Sequence, residues 1–219
     1  MKKIALITGS AKRLGKEIAL HLATNGWEIA IHYNRSSEEA SQTLKELSTI
    51  TKAIAIQQDL NDLDRVPGIL KQTELGLGSP SLLINNAGIF ERDQKKMNVL
   101  SLQKHMNINC FAPIILTQAL AELDSNKKTV INIGDSNLEH TYKNFLPYTI
   151  SKMALYESAK SLNAKFSPDC TVHSINLGMI YPPENLSEKK IFEEILLKSP
   201  SRAETKKSAL EEIDLILKS

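Results

Sequence analysis

Residues 2–26 read KKIALITGSAKRLGKEIALHLATNG, and how this stretch folds decides how the rest of the chain folds. The apolar run Ile4-Ala5-Leu6-Ile7 is strand-length. KEIALHLATNG then carries helical periodicity and closes on Gly26. Between them lies a turn of small residues, Thr8-Gly9-Ser10-Ala11-Lys12-Arg13-Leu14-Gly15. A Gly-rich turn by itself is an ordinary tight βα connection. Running from a strand into a helix, it is the context a pyrophosphate needs, because small residues let backbone N–H groups approach and the helix N-terminus adds a favourable dipole.

The same alternation continues outward. WEIAIHY, KAIAIQQ, SLLIN, TVINIG and TVHSIN are further β-like runs separated by periodic segments, so the chain predicts βαβ units and a parallel, doubly wound α/β sheet. SSEEASQTLKELS opens with serines suited to capping a second helix. SLQKHMNINCFAPIILTQALAEL and LPYTISKMALYESAKSLNAKF read as two long central helices, and SALEEIDLILKS as the last. Ligands of such a sheet bind outside the carboxyl ends of its strands, which directs attention to TGSAKRLG, HYNRSS, QQDLN, NNAGIF, GDSN and NLGMIYPP.

Composition narrows the function classes. With 219 residues, 42% hydrophobic and no linker-like tract, residues 1–219 are expected to form a single domain. A net charge of +2 gives no stripe for nucleic acid. The lysine pairs Lys95-Lys96, Lys127-Lys128, Lys189-Lys190 and Lys206-Lys207 read as solvated surface. Cys110 and Cys170 make no disulfide framework, which fits a reducing, cytoplasmic setting, and the five histidines have no metal-ligand spacing, so no metal is expected. No apolar run has the length of a membrane span, and the opening MKKIALITGSAKR is broken by Thr8-Gly9 and Lys12-Arg13, unlike a signal peptide.

After the second strand a carboxylate would bind a ribose 2′-hydroxyl and repel a 2′-phosphate. The chain instead reads Asn34-Arg35-Ser36, and Arg35 can form a bidentate pair with a phosphate, so the cofactor expected is NADPH over NADH. Lys12 can add a second positive charge. Each of these cations, taken singly, also reads as a solvated loop residue. Further on, Tyr148 and Lys152 stand four apart on one helix face, where an ammonium favours ionisation of a phenol whose ordinary pKa is ~10. Tyr156 and Lys160 repeat the spacing further along the same helix.

These motifs in this order resemble the short-chain dehydrogenase/reductase family across roughly residues 3 to 178: TGSAKRLG, then Asp59-Leu60, Asn85-Asn86-Ala87-Gly88, Asn109, and Tyr148-x-x-x-Lys152. The resemblance implies a Rossmann-type fold with Gly9, Lys12, Arg13, Leu14, Gly15, Asn34, Arg35, Ser36, Asp59, Leu60, Asn86, Ala87, Gly88, Lys152 and Gly178 around the cofactor. It makes Tyr148 the proton donor and Lys152 the holder of the nicotinamide ribose. Asn109 would support a water-linked proton path. Tyr148 is favoured over Tyr156 because it stands near the helix start and thirteen residues after the strand-end Asp135, as the family pattern requires.

Within the family, Arg13 in place of a middle glycine, HYNRSSEEA after the second strand, and Asp135 where relatives carry serine resemble pteridine reductases and the bacterial dihydromonapterin/dihydrofolate reductases. That narrower resemblance makes Arg13, Phe90, Asp135 and Tyr148 the substrate-binding residues, Phe90 by stacking on a flat ring. An ionised Asp135 cannot donate to a ketone oxygen as it gains charge, but it suits a substrate that presents N–H groups. The competing arrangement has Ser136 supply the hydroxyl after a small shift of the turn.

Two departures from the family pattern stand out. Leu177-Gly178 replaces the usual Pro-Gly, ahead of a substrate flap at 179–200 in which IFEEILLKS is helical in pattern. The chain stops after SALEEIDLILKS, so the family's last strand with its Asp-Gly-Gly turn is expected to be missing, leaving six strands and a homo-oligomer, dimer or tetramer, open. The expected activity is NADPH-dependent reduction of a dihydropterin to its tetrahydro form. The alternatives are a 3-oxoacyl-thioester or other carbonyl reductase, and a non-catalytic NADP(H)-binding sensor, whose mark would be erosion of Tyr148, Lys152 or Asn109; all three are present.

Overall fold

Alternate side chains of each strand enter opposite layers, and the two layers account for the apolar periodicity of the sequence. The computed structural model describes residues 2–93, 98–124, 127–138, 144–178, 180–181 and 206–218. In chain order the elements are β1 (Ile4–Ile7), α1 (Arg13–Thr24), β2 (Glu28–Tyr33), α2 (Ser37–Ser48), β3 (Ala53–Gln57), α3 (Gly68–Gly76), β4 (Leu82–Asn85), α4 (Val99–Met106), a π-helical turn (Asn107–Phe111), α5 (Ala112–Ala121), β5 (Lys128–Asp135), α6 (Leu146–Phe166), β6 (Cys170–Leu177) and α7 (Lys206–Lys218). All strand pairs are parallel, in the order β3-β2-β1-β4-β5-β6. Leu6, Leu83, Val130 and Val172 pack toward α3, α5 and α6. Ile7, Ile84, Ile131 and Ile175 pack toward α1, α2 and α7.

The sheet winds outward in both directions from β1 and β4, so the loops leaving those neighbours part and open a crevice. Its floor is tight. Gly9 has φ of 62°, and a Cβ there would lie 2.8 Å from Ala87 Cα; one on Gly15 would run into the Gly9 carbonyl oxygen. Thr8 Oγ1 accepts the Asn86 and Ala87 N–H groups at 3.0 Å each, and Asn86 Nδ2 donates to the Thr8 and Gly9 carbonyls at 2.9 and 3.0 Å. Arg13 is left-handed too, with φ of 56°, a conformation that costs a non-glycine residue about 1–2 kcal/mol.

Several expectations need correction. The first long central helix forms, but its α-helical bonding is interrupted: α4 ends at Met106, and a π-helical turn joins it directly to α5. Pro113 explains the break, because it has no N–H to give the Asn109 carbonyl four residues earlier. Ser36 stands at the start of α2, yet its side chain makes no cap bond. Lys128 is not solvated; it is 4% exposed and its Nζ donates to the Ala121 carbonyl at 3.3 Å. The pairs Lys95-Lys96 and Lys189-Lys190, the IFEEILLKS helix, and all of the 179–200 flap but Ile180 and Tyr181 lie outside the described residues.

Trp27, the single tryptophan, precedes the amino end of β2, with Lys3 Nζ 5.8 Å from its ring centroid. Among the described residues no helix is long and apolar enough to cross a membrane, and no three His, Cys, Asp or Glu gather to hold a metal ion.

The substitution Gly9→Ala tests the crevice floor. Left-handed strain alone predicts a loss of about 1–2 kcal/mol in urea unfolding, and the backbone contact at Ala87 adds to it. An unchanged midpoint would mean that the turn lifts off Ala87 without cost.

Candidate active site

β5 ends on Asp135, and α6 brings Tyr148 over it. Tyr148 Oη donates to Asp135 Oδ2 at 2.6 Å, while Oδ1 of the same carboxylate accepts the Asn137 N–H at 2.7 Å. Ser136 is turned away: its N–H goes to the Leu177 carbonyl at 3.1 Å, and its buried hydroxyl has no hydrogen-bond partner among the described residues. It is therefore Asp135 that meets the tyrosine hydroxyl. One helical turn on, buried Lys152 donates from Nζ to the Ile133 carbonyl at 2.7 Å. Burial pulls the Lys152 ammonium down to about 8, while the Asp135 carboxylate acts in the opposite direction.

Asn109 sits in the π-helical turn with every amide position in use. Oδ1 accepts the Ile89 N–H at 2.8 Å, and Nδ2 donates to the Ile89 carbonyl and to Ser151 Oγ, both at 3.0 Å. Ser151 Oγ in turn donates to the Tyr148 carbonyl at 2.7 Å. The side chain of Asn109 thus braces the loop after β4 against α6, and what it can offer a water is its main-chain carbonyl, which Pro113 cannot bond. Gly88 is hemmed in by the same group: a Cβ there would stand 3.3 Å from Asn109 Oδ1 and 3.7 Å from Lys152 Nζ.

Aromatic rings line the other side. Phe90 stacks on buried Phe145 with centroids 4.1 Å apart and meets the Tyr148 ring edge-on at 4.7 Å. Asp93 secures this cluster. Its Oδ2 accepts the N–H of Leu146, the first residue of α6, at 2.8 Å, and its own N–H donates to the Asn144 carbonyl at 2.7 Å. Arg13 reaches the segment after β6: its Nη2 donates to the Tyr181 carbonyl at 3.3 Å, and its guanidinium lies 5.4 Å from the Tyr181 ring centroid. Gly178 leads into that segment.

The remaining predicted residues line the carboxyl ends of β1 to β4. Gly9, Leu14, Gly15, Asn86, Ala87 and Gly88 surround the turn. Lys12 makes a long ion pair with Glu39 at 3.5 Å. Arg35 is exposed and pairs with no carboxylate among the described residues, and Asn34 and Ser36 flank it. Asp59 Oδ1 accepts the Asn61 N–H at 2.9 Å, whereas the Leu60 side chain is only 4% exposed and packs into the core, so Leu60 has only backbone to give a ligand. Sequence reasoning missed Ser151, Phe145 and Asp93. Ser151 was findable as the neighbour of Lys152 on the Tyr148 helix; the Asp93–Leu146 contact has no sequence signal.

A sequence profile described as short chain dehydrogenase matches residues 3–191. A short chain dehydrogenase of Emericella nidulans is 31% identical over 81% of this chain and 70% of its own. A 3-oxoacyl-[acyl-carrier-protein] reductase of Staphylococcus aureus is 32% identical over 63% of this chain, which spans 61%, less than two thirds, of that protein's length. Among solved structures, the alternative dihydrofolate reductase 1 of Brucella suis, in complex with NADP, is 26% identical with a TM-score of 0.87, covering 99% of this chain and 89% of that one.

The electrostatic coupling of the buried pair can be measured directly. Because the Asp135 carboxylate raises the Lys152 pKa, Asp135→Asn should let Lys152 titrate below about 8, followed through its side-chain NMR signals. A Lys152 pKa that stays put or rises would mean that the carboxylate does not act on it.

Proposed function

The chain belongs to the short-chain dehydrogenase family, and from that membership we propose that it is an NADPH-dependent reductase of a dihydropterin, of the dihydromonapterin or dihydrofolate kind. The 2.6 Å bond between Tyr148 and Asp135 carries this reading, because it puts a carboxylate where carbonyl chemistry calls for a hydrogen-bond donor. A pterin presents ring N–H groups that a carboxylate accepts, and its C=N bond takes hydride on carbon and a proton on nitrogen.

The crevice suits the cofactor. Gly9 and Gly15 leave a cradle that a Cβ would fill, and exposed Arg35 with the uncommitted Ser36 hydroxyl suits a 2′-phosphate. Bound NADPH supplies the hydride. The chain's own part is the proton. At rest, Asp135 holds the Tyr148 hydroxyl; a ring nitrogen gaining charge beside the reduced carbon is the stronger acceptor and draws that proton away. The phenolate left behind shares its helix face with the Lys152 ammonium. Asp135 then accepts substrate N–H, Phe90 offers its ring to the flat heterocycle, and Arg13 stands at the mouth toward Tyr181.

The second reading, 3-oxoacyl-thioester reduction, is favoured by the Staphylococcus aureus relative. A cytoplasmic setting fits both readings. The exposed side chains of Leu146, Ile150 and Met153 along α6, with Phe111 beside them, support a homo-oligomer.

The deciding assay follows NADPH oxidation with dihydromonapterin, dihydrobiopterin, dihydrofolate and an acetoacetyl thioester, for wild type and Asp135→Ser. Pterin turnover should fall on the order of a hundredfold in the serine variant. Turnover of the thioester alone, or improvement in the variant, would refute the pterin assignment. Pterin activity should also decline as pH rises through about 8, where Lys152 loses its proton; a rate flat to pH 10 would remove Lys152 from the proton chemistry.

A further inference from the structure

His32 is a polar side chain that the chemistry above leaves unused. It is the penultimate residue of β2, 2% exposed, yet it lies between two loops at the carboxyl edge of the sheet. Its Nδ1 accepts the Gly9 N–H at 3.3 Å, and its Nε2 lies 2.9 Å from the Gln58 carbonyl oxygen. A carbonyl only accepts and an amide N–H only donates, so these two partners fix the neutral tautomer with its proton on Nε2. The backbone of the same residue takes the hydroxyl and the N–H of Ser10: its N–H donates to Ser10 Oγ at 3.2 Å, and its carbonyl accepts the Ser10 N–H at 3.0 Å.

Gly9 is therefore suspended between two side chains. His32 holds its N–H from the β2 side, and Asn86 holds its carbonyl from the β4 side at 3.0 Å. Asn86 was legible in its motif; His32 is its counterpart. The other end of the imidazole ties down Gln58, which leads directly into Asp59 and Leu60. One ring thus spans the exits of β1 and β3, across which the adenosine half of a dinucleotide lies in a doubly wound sheet.

We propose that His32, as the neutral Nε2–H tautomer, is a positioning residue for NADPH, setting the Gly9 turn at a fixed spacing from the Gln58–Leu60 segment. Burial lowers its pKa to about 4 against the opposing pull of the Gln58 bond and the Asp59 carboxylate, so it stays neutral near pH 7. The inference rests on the NADPH reading above.

The test uses geometric mimicry. Asn Oδ1 overlays His Nδ1 and can accept the Gly9 N–H, Gln Nε2 overlays His Nε2 and can only donate to Gln58, and Leu does neither. NADPH affinity is measured from the cofactor's own fluorescence for wild type, His32→Asn, His32→Gln and His32→Leu, with kcat at saturating NADPH. Expected are a Kd raised about threefold to fivefold for Asn and for Gln, each of which keeps one of the two bonds, a rise of roughly tenfold or more for Leu, which keeps neither, and kcat unchanged in all. Should the Leu variant fail to fold, the Asn and Gln proteins still decide. Wild-type affinity in the Asn or the Gln variant, or a loss confined to kcat, overturns the inference while leaving NADPH binding by the wild type intact. Wild-type protein that does not bind NADPH overturns the cofactor reading and this inference with it.

Discussion

Between Gly9 and Ala87 there is room for hydrogen atoms and nothing larger. A Cβ on Gly9 would lie 2.8 Å from a backbone carbon, and one on Gly15 would press closer still on the Gly9 carbonyl and Asn86. This contact joins the ends of β1 and β4, the two strands from which the sheet winds in opposite directions. The turn after β1 is held by Thr8 and Asn86. The loop after β4 then runs through Gly88 and Ile89 to the Asn109 amide and, via Ser151, to α6. The position of Tyr148 therefore depends on a chain of contacts that begins with two absent side chains.

Along that chain the polar groups are few and heavily used. Asn109 spends its whole amide on Ile89 and Ser151, and Lys152, taken out of water, has the Ile133 carbonyl as its hydrogen-bond partner and the Asp135 charge nearby. In a low-dielectric setting such bonds are stronger and leave few alternative arrangements. The break between α4 and α5 belongs to the same economy of partners: Pro113 withholds an N–H, and the helix opens where Asn109 faces the site.

The β1–α1 unit was legible because a period of two gives way to one of 3.6 across a small-residue turn, and each strand's alternation reports directly on which face is buried. Tyr148 and Lys152 were legible for a related reason, since their spacing alone puts them on one helix face. Asp135 could be singled out by type, but whether it or Ser136 met the tyrosine depended on the turn, which periodicity does not encode. The Asp93 bond to Leu146 joins a loop to a helix start far away in sequence, and nothing local announces it. Lys128 misled because a paired lysine looks solvated, whereas this one packs its stem against the core and finds a carbonyl. Leu60 lay beside an aspartate of the expected type, yet its apolar side chain followed the core.

Trp27 stands at the amino end of β2, whereas the crevice lies at the carboxyl ends. The strand between them is six residues long, about 20 Å at 3.3 Å per residue. A molecule in the crevice therefore cannot touch the indole. Because reduced nicotinamide absorbs where tryptophan emits, such a ligand can dim this protein's ultraviolet emission by resonance energy transfer through space, without contact. The signal then counts occupied molecules and carries no information on the contacts inside the crevice. The optical reporter is built into the chain, at the rim where it leaves the chemistry undisturbed.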